Sequence, residues 1–140
     1  MREILFRGKS VPRGEWVYGF YAACKPRLSD SNRCVIQPVD ERGVPEVLVN
    51  VDPYTVGQYT GLCDKNGKKI FEGDIVEGAV HSAWSHRIQR CVVAYGRDGF
   101  ECRHHADGLY SEYFTYRVMF SRSVEVIGNI HDSPELLKGE

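Results

Sequence analysis

The chain has 140 residues, of which 42% are hydrophobic and 26% are charged, so it is long enough to bury one core of its own. Its formal net charge of −1 lacks the basic surplus of a dedicated nucleic-acid-binding protein, although net charge does not describe how charges are distributed. No apolar run approaches the roughly 20 residues of a membrane helix, and the N-terminus meets Arg7 after three apolar residues, unlike a signal peptide. We therefore expect a cytoplasmic protein without membrane contact.

The cysteines argue against a disulfide framework. There are five, an odd number, and no two have C-x-x-C spacing. In a reducing compartment this pattern predicts free thiols. The five are Cys24, Cys34, Cys63, Cys91 and Cys102.

The first half of the chain predicts short strands between frequent turns. They cover Ile4–Arg7, Glu15–Tyr21, Cys34–Val39 and Glu46–Val51. In the second of them Trp16, Tyr18 and Phe20 share one face, and the residues between them are also largely apolar. Two apolar faces indicate a strand that is central in its sheet or covered on both sides.

Two local sequence signals follow, one for the start of a helix and one for a turn. Asp52-Pro53 predicts the start of a short helix near residues 53–59, because aspartate caps helices and proline suits their first position. The segment Asp64–Gly67 predicts a tight hairpin turn, since Asn66 and Gly67 tolerate positive φ. A strand is expected over Lys69–Glu77, with a bulge at Gly73.

Residues 78–89 are ambiguous between helix and loop, because Val80, Trp84 and Ile88 recur at four-residue spacing. Beyond them the pattern predicts strands, and then a short helix near residues 134–138 capped by Ser133. The strands are Cys91–Tyr95, Phe100–Arg103, Tyr116–Phe120 and Val124–Ile130.

Three blocks carry a family resemblance. They are Arg2–Gly8 with Gly14–Gly19, Thr55–Leu62 with Asp64–Val76, and Val126–Asp132 with Pro134–Leu137, while Cys63 departs from the family pattern. Together they resemble the YopX family, whose members are encoded by phages and prophages. The resemblance implies a phage origin and one YopX-like domain over residues 1–140. It supplies no reaction, so no catalytic residue is carried over.

The resemblance also bears on the fold. It implies a compact architecture that contains a β-barrel, and the strand around Glu72–Val76 is similar to small barrels of the Src-homology-3 type. We expect a mainly β protein built as such a small barrel, with extra strands and the two short helices.

No constellation of reactive residues emerges. Cys102, His104 and His105 are the densest soft ligands, but strand alternation turns His105 away from the other two. Glu72 and Asp74 would share a strand face and suit acid–base chemistry or a cation, yet turn formation by Gly73-Asp74 explains them better. We expect a protein that is not an enzyme, with no metal and no cofactor.

The candidate interface lies in the late aromatic stretch. Tyrosine is enriched at binding surfaces, and the candidates are Tyr110, Tyr113 and Phe114, with Arg103 and Arg117 beside them. The leading hypothesis is an accessory protein that binds an unknown host or phage protein, or a second copy of itself. Burial of these rings in the core is the competing interpretation.

The alternative function is a nucleic-acid-binding module of phage replication or regulation. It requires a basic stripe, with Arg87, Arg90, Arg97 and Arg103 as its members, and single-stranded bases stacked on aromatic rings.

Overall fold

The computed structural model describes residues 4–23, 34–82, 85–96, 99–104, 111–113 and 124–137. Within these ranges, only the backbone is described for 22–23, 79–82, 85–89, 96, 102–104 and 111–113. The chain divides into two compact units, Met1–Tyr59 and Thr60–Glu140. Each unit is described by itself, so the single domain predicted from the sequence stays a prediction.

The described elements are eleven strands and two short 3-10 helices. The first unit contains β1 (Phe6–Lys9), β2 (Trp16–Ala23), β3 (Cys34–Pro38), β4 (Val49–Val51), a 3-10 helix (Pro53–Thr55) and the beginning of β5 (Gly57–Cys63). The second contains β6 (Lys69–Phe71), β7 (Asp74–Ser82), β8 (Ser85–Gly96), β9 (Gly99–His104), β10 (Ser111–Tyr113), β11 (Glu125–Asn129) and a 3-10 helix (Pro134–Leu137).

The first sheet has the strand order β4-β3-β2-β1-β5-β6, and β2 is one of its central strands. β2 pairs antiparallel with β1 and with β3, which places Gly19 opposite Phe6 on one side and Pro38 on the other. An isolated bridge joins Ser10 to Val51, so residues after β1 also bond to β4.

One face of this sheet supplies the core of the first unit. Ile36 and Val51 are fully buried there. Gly8 lies between them, since a Cβ at this glycine would stand 3.0 Å from the Val51 side chain and 3.2 Å from that of Ile36. Close backbone approach therefore explains the glycine in β1.

The second sheet has the order β10-β9-β8-β7-β11. Its centre is a long hairpin of β7 and β8, paired from Ile75↔Val92 to Ser82↔Ser85. Residues 78–82 and 85–89 are therefore strand, neither helix nor loop. The four-residue spacing misled because Val80 and Ile88 lie on opposite strands of the hairpin, where Val80 pairs with Arg87.

The core of the second unit lies on this sheet. Buried side chains form one cluster, and Leu62, Phe100 and Val126 pack against it. The buried members are Ile70, Val76, Cys91, Val93 and Val124. Cys91 is a free, fully buried thiol that fills space as a small apolar side chain.

Both short helices are present near their expected positions. Asp52 caps the first, because its carboxylate accepts the Tyr54 N–H at 3.0 Å, and the helix ends at Thr55 before Gly57 begins β5. In the second, the Ser133 carbonyl accepts the Leu136 N–H at 3.1 Å.

Of two features predicted around glycines, the turn at Asp64–Gly67 and the bulge at Gly73, the structure contains the first and not the second. The Asp64–Gly67 turn is confirmed, with Gly67 at a φ of +82° that glycine adopts readily. The predicted bulge at Gly73 is wrong: Glu72 and Gly73 form a turn that separates β6 from β7. The bulge in the described residues lies instead between Val126 and Gly128, where β11 changes register against β7.

The mainly β class is confirmed. The described strands form two antiparallel sheets and not a closed barrel, which differs from the barrel expected from the sequence. Closing a sheet requires its end strands to pair along their length with a fixed stagger. The end strands β4 and β6 have only three residues each. Among the described residues, no helix is long and apolar enough to cross a membrane.

Candidate functional site

The predicted interface falls largely outside the structural description. Tyr110, Phe114 and Arg117 lie outside the described residues, and Arg103 and Tyr113 are described as backbone only. Arg103 lies on β9 opposite Ser111 of β10, and Tyr113 lies on β10 opposite Glu101 of β9. These five residues remain a sequence prediction.

The predicted basic stripe stays a prediction, because Arg97 lies outside the described residues and Arg87 and Arg103 are described as backbone only. Arg90 is the member whose side chain is described, and it serves the fold. Its Nε donates to Glu77 at 2.8 Å, and its Nη1 donates to the Leu136 carbonyl at 2.9 Å. The guanidinium thus ties β8 to its neighbour β7 and to the C-terminal 3-10 helix.

Glu72 and Asp74, the carboxylate pair considered for acid–base chemistry, lie in different environments, one in a turn and the other at the start of β7. Asp74 is 1% exposed, and its Oδ2 accepts the Phe71 N–H at 2.7 Å across the β6–β7 turn. Glu72 lies in the turn itself. Within the described part of the chain, no three histidine, cysteine or acidic side chains converge as metal ligands would.

Asp64 is the titratable group with the clearest structural role. Its Oδ1 accepts the N–H groups of Asn66 and Lys68, both at 2.9 Å, and its Oδ2 accepts that of Val126 at 3.0 Å. Burial by itself raises the pKa of this carboxyl, but those three N–H groups and the charge of Lys68 together lower it below its ordinary value. The Asp64 carboxylate thereby connects β11 to the Asp64–Gly67 turn by hydrogen bonds.

A different set of aromatic residues forms the most distinctive surface. Tyr18 and Phe20 lie on one face of β2 and are 46% and 53% exposed. Trp16 shares this face and is partly buried. Residues two apart on a strand are about 7 Å apart, so the three aromatic side chains form a row along the middle of the sheet.

Cations from β1 stand beside this row. Register pairs Arg7 with Tyr18 and Lys9 with Trp16, and directly opposed residues share a face. The Arg7 guanidinium carbon lies 4.6 Å from the centre of the Trp16 ring, and the Lys9 Nζ lies 5.6 Å from it. Both contacts are within cation–π range. We call these five residues the β2 aromatic face.

The two cations have different accessibility. Arg7 is 4% exposed, so it holds the Trp16 ring from within the protein. Lys9 is partly exposed, and its carbonyl accepts the Asp52 N–H at 2.8 Å.

The same side of the sheet continues onto β3 and β4, where Val35 is buried. The register places Val35, Gln37 and Asn50 on it, through Phe20↔Gln37 and Val35↔Asn50. Glu15 immediately precedes β2 and is turned to the opposite side by strand alternation. The Ser10↔Val51 bridge continues the register and places Asp52 opposite Lys9, with the Asp52 N–H donating to the Lys9 carbonyl at 2.8 Å, so the two cations of the face have a carboxylate at their edge.

The sequence identified the aromatic row but not its exposure. Alternation showed that Trp16, Tyr18 and Phe20 share a face, and the central position of β2 is confirmed. Coverage on both sides is wrong, because Tyr18 and Phe20 are exposed. The neighbouring cations were missed because the pairing of β1 with β2 is a long-range property.

Similarity to known proteins bears on the fold and the family. The crystal structure of protein EF1440 from Enterococcus faecalis is similar with a TM-score of 0.59 and 24% sequence identity, and the alignment covers 99% of this chain and 100% of that one. This likeness concerns the fold. No curated protein matches the sequence significantly.

A family model described as YopX protein matches residues 5–138. Because that match spans nearly the whole sequence, the chain belongs to the YopX family.

Proposed function

We propose that this protein is a phage- or prophage-encoded accessory protein that acts in the bacterial cytoplasm by binding a macromolecule through the β2 aromatic face, without catalysing a reaction. The observation that carries the proposal is the exposure of Tyr18 and Phe20 on a central strand beside Lys9. The interaction role follows the leading sequence hypothesis, but it rests on a different surface.

The exposure of these rings leaves apolar area unburied. A fully buried aromatic side chain removes about 200 Å² from water, so each half-exposed ring leaves on the order of 100 Å² in contact with solvent. At about 25 cal/mol per Å² this is roughly 2.5 kcal/mol per ring. A partner that covers Tyr18 and Phe20 recovers that free energy on binding.

The absence of catalysis is supported by what the acidic side chains do. The Asp74 carboxylate accepts a backbone hydrogen bond in a turn, and that of Asp64 accepts three. Both stabilise local structure. The rings of the β2 aromatic face offer contact area, and those of Trp16 and Phe20 carry no nucleophile or general base.

Site-specific photo-crosslinking in cells tests this function. A photoreactive phenylalanine analogue at position 20 of the full chain is expected to give a discrete covalent adduct in host cells that carry the phage. The matched control places the same analogue at position 95, because Tyr95 is 60% exposed but lies on β8. No adduct from position 20, or equal adducts from both positions, contradicts the proposal.

A further inference from the structure

We infer that Asn66 is a site of spontaneous deamidation, and that the isoaspartyl product releases β11 from the Asp64–Gly67 turn. The modification lies in the second unit. It is independent of what binds the β2 aromatic face.

The residue after Asn66 makes this asparagine reactive. It is Gly67, and no other asparagine of the chain precedes a glycine. Because glycine has no Cβ to shield its backbone nitrogen, that nitrogen can attack the side-chain carbonyl carbon of Asn66, Cγ. The new N–Cγ bond forms, the Cγ–Nδ2 bond breaks, and the Gly67 amide proton leaves with the departing ammonia. Water then opens the cyclic imide at either carbonyl, which gives aspartate, or isoaspartate when the main chain runs through Cγ.

The turn itself does not require an asparagine at this position. In the Asp40–Gly43 turn the last N–H donates to the first carbonyl at 2.9 Å, and in the Asp64–Gly67 turn it does so at 3.0 Å. The closing glycines have φ angles of +80° and +82°. Arg42 has in the first turn the position that Asn66 has in the second. Turn formation therefore does not by itself account for Asn66.

Asn66 differs from Arg42 in having a neighbour on β11. Its Nδ2 donates to Glu125 Oε1 at 3.4 Å, and Glu125 Oε2 lies 3.4 Å from Lys65 Nζ. Deamidation replaces this donor by a second carboxylate. Asn66 is exposed, so solvent screens the repulsion between the two carboxylates. The change of charge is therefore the smaller consequence.

The larger consequence is the altered main chain. Isoaspartate lengthens the main chain by one carbon within residue 66. The Asp64 Oδ1 accepts the N–H groups of Asn66 and Lys68, one before and one after that carbon, both at 2.9 Å. The longer main chain moves the Lys68 N–H away from this oxygen. The Asp64 carboxylate then loses the position in which its Oδ2 accepts the Val126 N–H at 3.0 Å, and β11 is released from the turn.

The fold also sets the rate of the reaction. In the closed turn the Gly67 N–H donates to the Asp64 carbonyl, and the Asn66 N–H donates to the Asp64 carboxylate. Attack on Cγ therefore requires local opening of the turn. Exposed turns open more readily than core strands, and residues 65–69 are exposed. Removal of the Asp64 carboxylate is expected to accelerate deamidation.

Peptide mass spectrometry of the full chain measures the modification. The folded protein is incubated at mildly alkaline pH and digested at acidic pH, where further deamidation is slow. Asn66 is expected to convert, whereas Asn50 and Asn129 stay intact, because each precedes a β-branched residue that crowds the attacking nitrogen. The chain unfolded in guanidinium chloride gives the reference rate. A folded protein that keeps Asn66 intact over the time in which the unfolded chain converts it overturns the inference.

Substitution of Asp64 tests how the fold sets the rate. Asp64→Ala is expected to speed the conversion of Asn66 by about 5-fold or more, the effect of losing one net hydrogen bond. Asp40→Ala, in the equivalent turn, is the matched control and is expected to leave the rate unchanged. Both variants are compared where circular dichroism shows them folded. Equal rates in the two variants contradict control of the reaction by the Asp64 carboxylate.

Amide hydrogen exchange of Val126 measures the release of β11. The isoaspartyl form, separated from the incubated wild type, is expected to exchange this proton about 5-fold faster or more than fresh protein. Asn66→Gln keeps an amide but would have to close a larger ring, so its incubated and fresh samples are expected to match. Unchanged exchange of Val126 in the isoaspartyl form overturns the inference.

Discussion

The hydrogen bonds of Asp64, which connect β11 to the neighbouring turn, predict how much stability one side chain contributes. Asp64→Ala removes the acceptor for three backbone N–H groups, those of Asn66, Lys68 and Val126. The Val126 donor is partly buried, so leaving it unpaired costs about 1–3 kcal/mol. The other two lie in an exposed turn where water replaces the carboxylate, so their loss adds about 1 kcal/mol. We expect the free energy of unfolding to fall by about 2–4 kcal/mol.

The chain supplies a matched control for this substitution. The Asp40 carboxylate also accepts two backbone N–H groups in a turn, those of Arg42 at 2.8 Å and Val44 at 2.9 Å. Among the described hydrogen bonds, it has no third bond to a strand like the one between Asp64 and Val126. Asp40→Ala is expected to cost about 1 kcal/mol. The difference between the two variants therefore measures the bond to Val126.

Urea unfolding followed by circular dichroism gives the two free energies, and amide hydrogen exchange of Val126 reports the local effect. Asp64→Ala is expected to accelerate exchange at Val126, whereas Asp40→Ala leaves it unchanged. Equal costs for the two variants, with unchanged exchange at Val126, would refute the assigned role of Asp64.

The same carboxylate predicts a pH dependence. Its pKa is lower in the folded state than the ordinary value of 3.8, so the folded protein binds this proton less readily than the unfolded chain. The stabilisation is fully present above the unfolded pKa and is lost as the pH falls through the folded pKa. Asp64→Asn is expected to flatten this acid limb in urea titrations, and an unaltered limb would contradict it.

Three further substitutions test the packing. Gly19→Ala places a Cβ against the Gln37 carbonyl oxygen, closer than van der Waals contact allows, so the β2–β3 backbone must shift. We expect the free energy of unfolding in urea to fall by about 3 kcal/mol or more, and a neutral variant would show that the two backbones can move apart. Arg90→Met removes the bonds to Glu77 and to the C-terminal 3-10 helix, and faster amide exchange in that helix is expected, while an unchanged rate would argue against the tie. Ile70→Ala is expected to cost about 2–5 kcal/mol because this side chain is fully buried, and a cost below that range would show that the second core collapses around the vacancy.

Local signals in the sequence were sufficient for the elements they govern. Asp52 with Pro53 predicted a helix start, because capping and the fixed φ of proline depend on neighbouring residues only. Asn66-Gly67 predicted its turn for the same reason. Alternation along residues 16–20 predicted a strand with its aromatic residues on one face.

The long β7–β8 pairing was missed because the sequence near its closed end carries no such signal. Glycine, asparagine and proline are absent from residues 79–87, so the periodicity of Val80, Trp84 and Ile88 was the remaining guide. A four-residue spacing suits one face of a helix, whereas Val80 and Ile88 lie on two strands that pair with each other.

The β2 aromatic face, which we propose as a binding surface, was predictable from the sequence only in part. The row of Trp16, Tyr18 and Phe20 was read correctly, but whether another layer covers a sheet face is decided by tertiary packing. The approach of Arg7 and Lys9 depends on the register of β1 against β2, which local patterns do not specify. The late aromatic candidates stay a prediction.

The most direct test of the central claim is the yield of photo-crosslinked adduct in host cells from position 20 of the full chain, compared with the yield from position 95. The account predicts a discrete adduct from position 20, on β2, and a much lower yield from position 95, on β8. No adduct from position 20, or equal yields from the two positions, would contradict it.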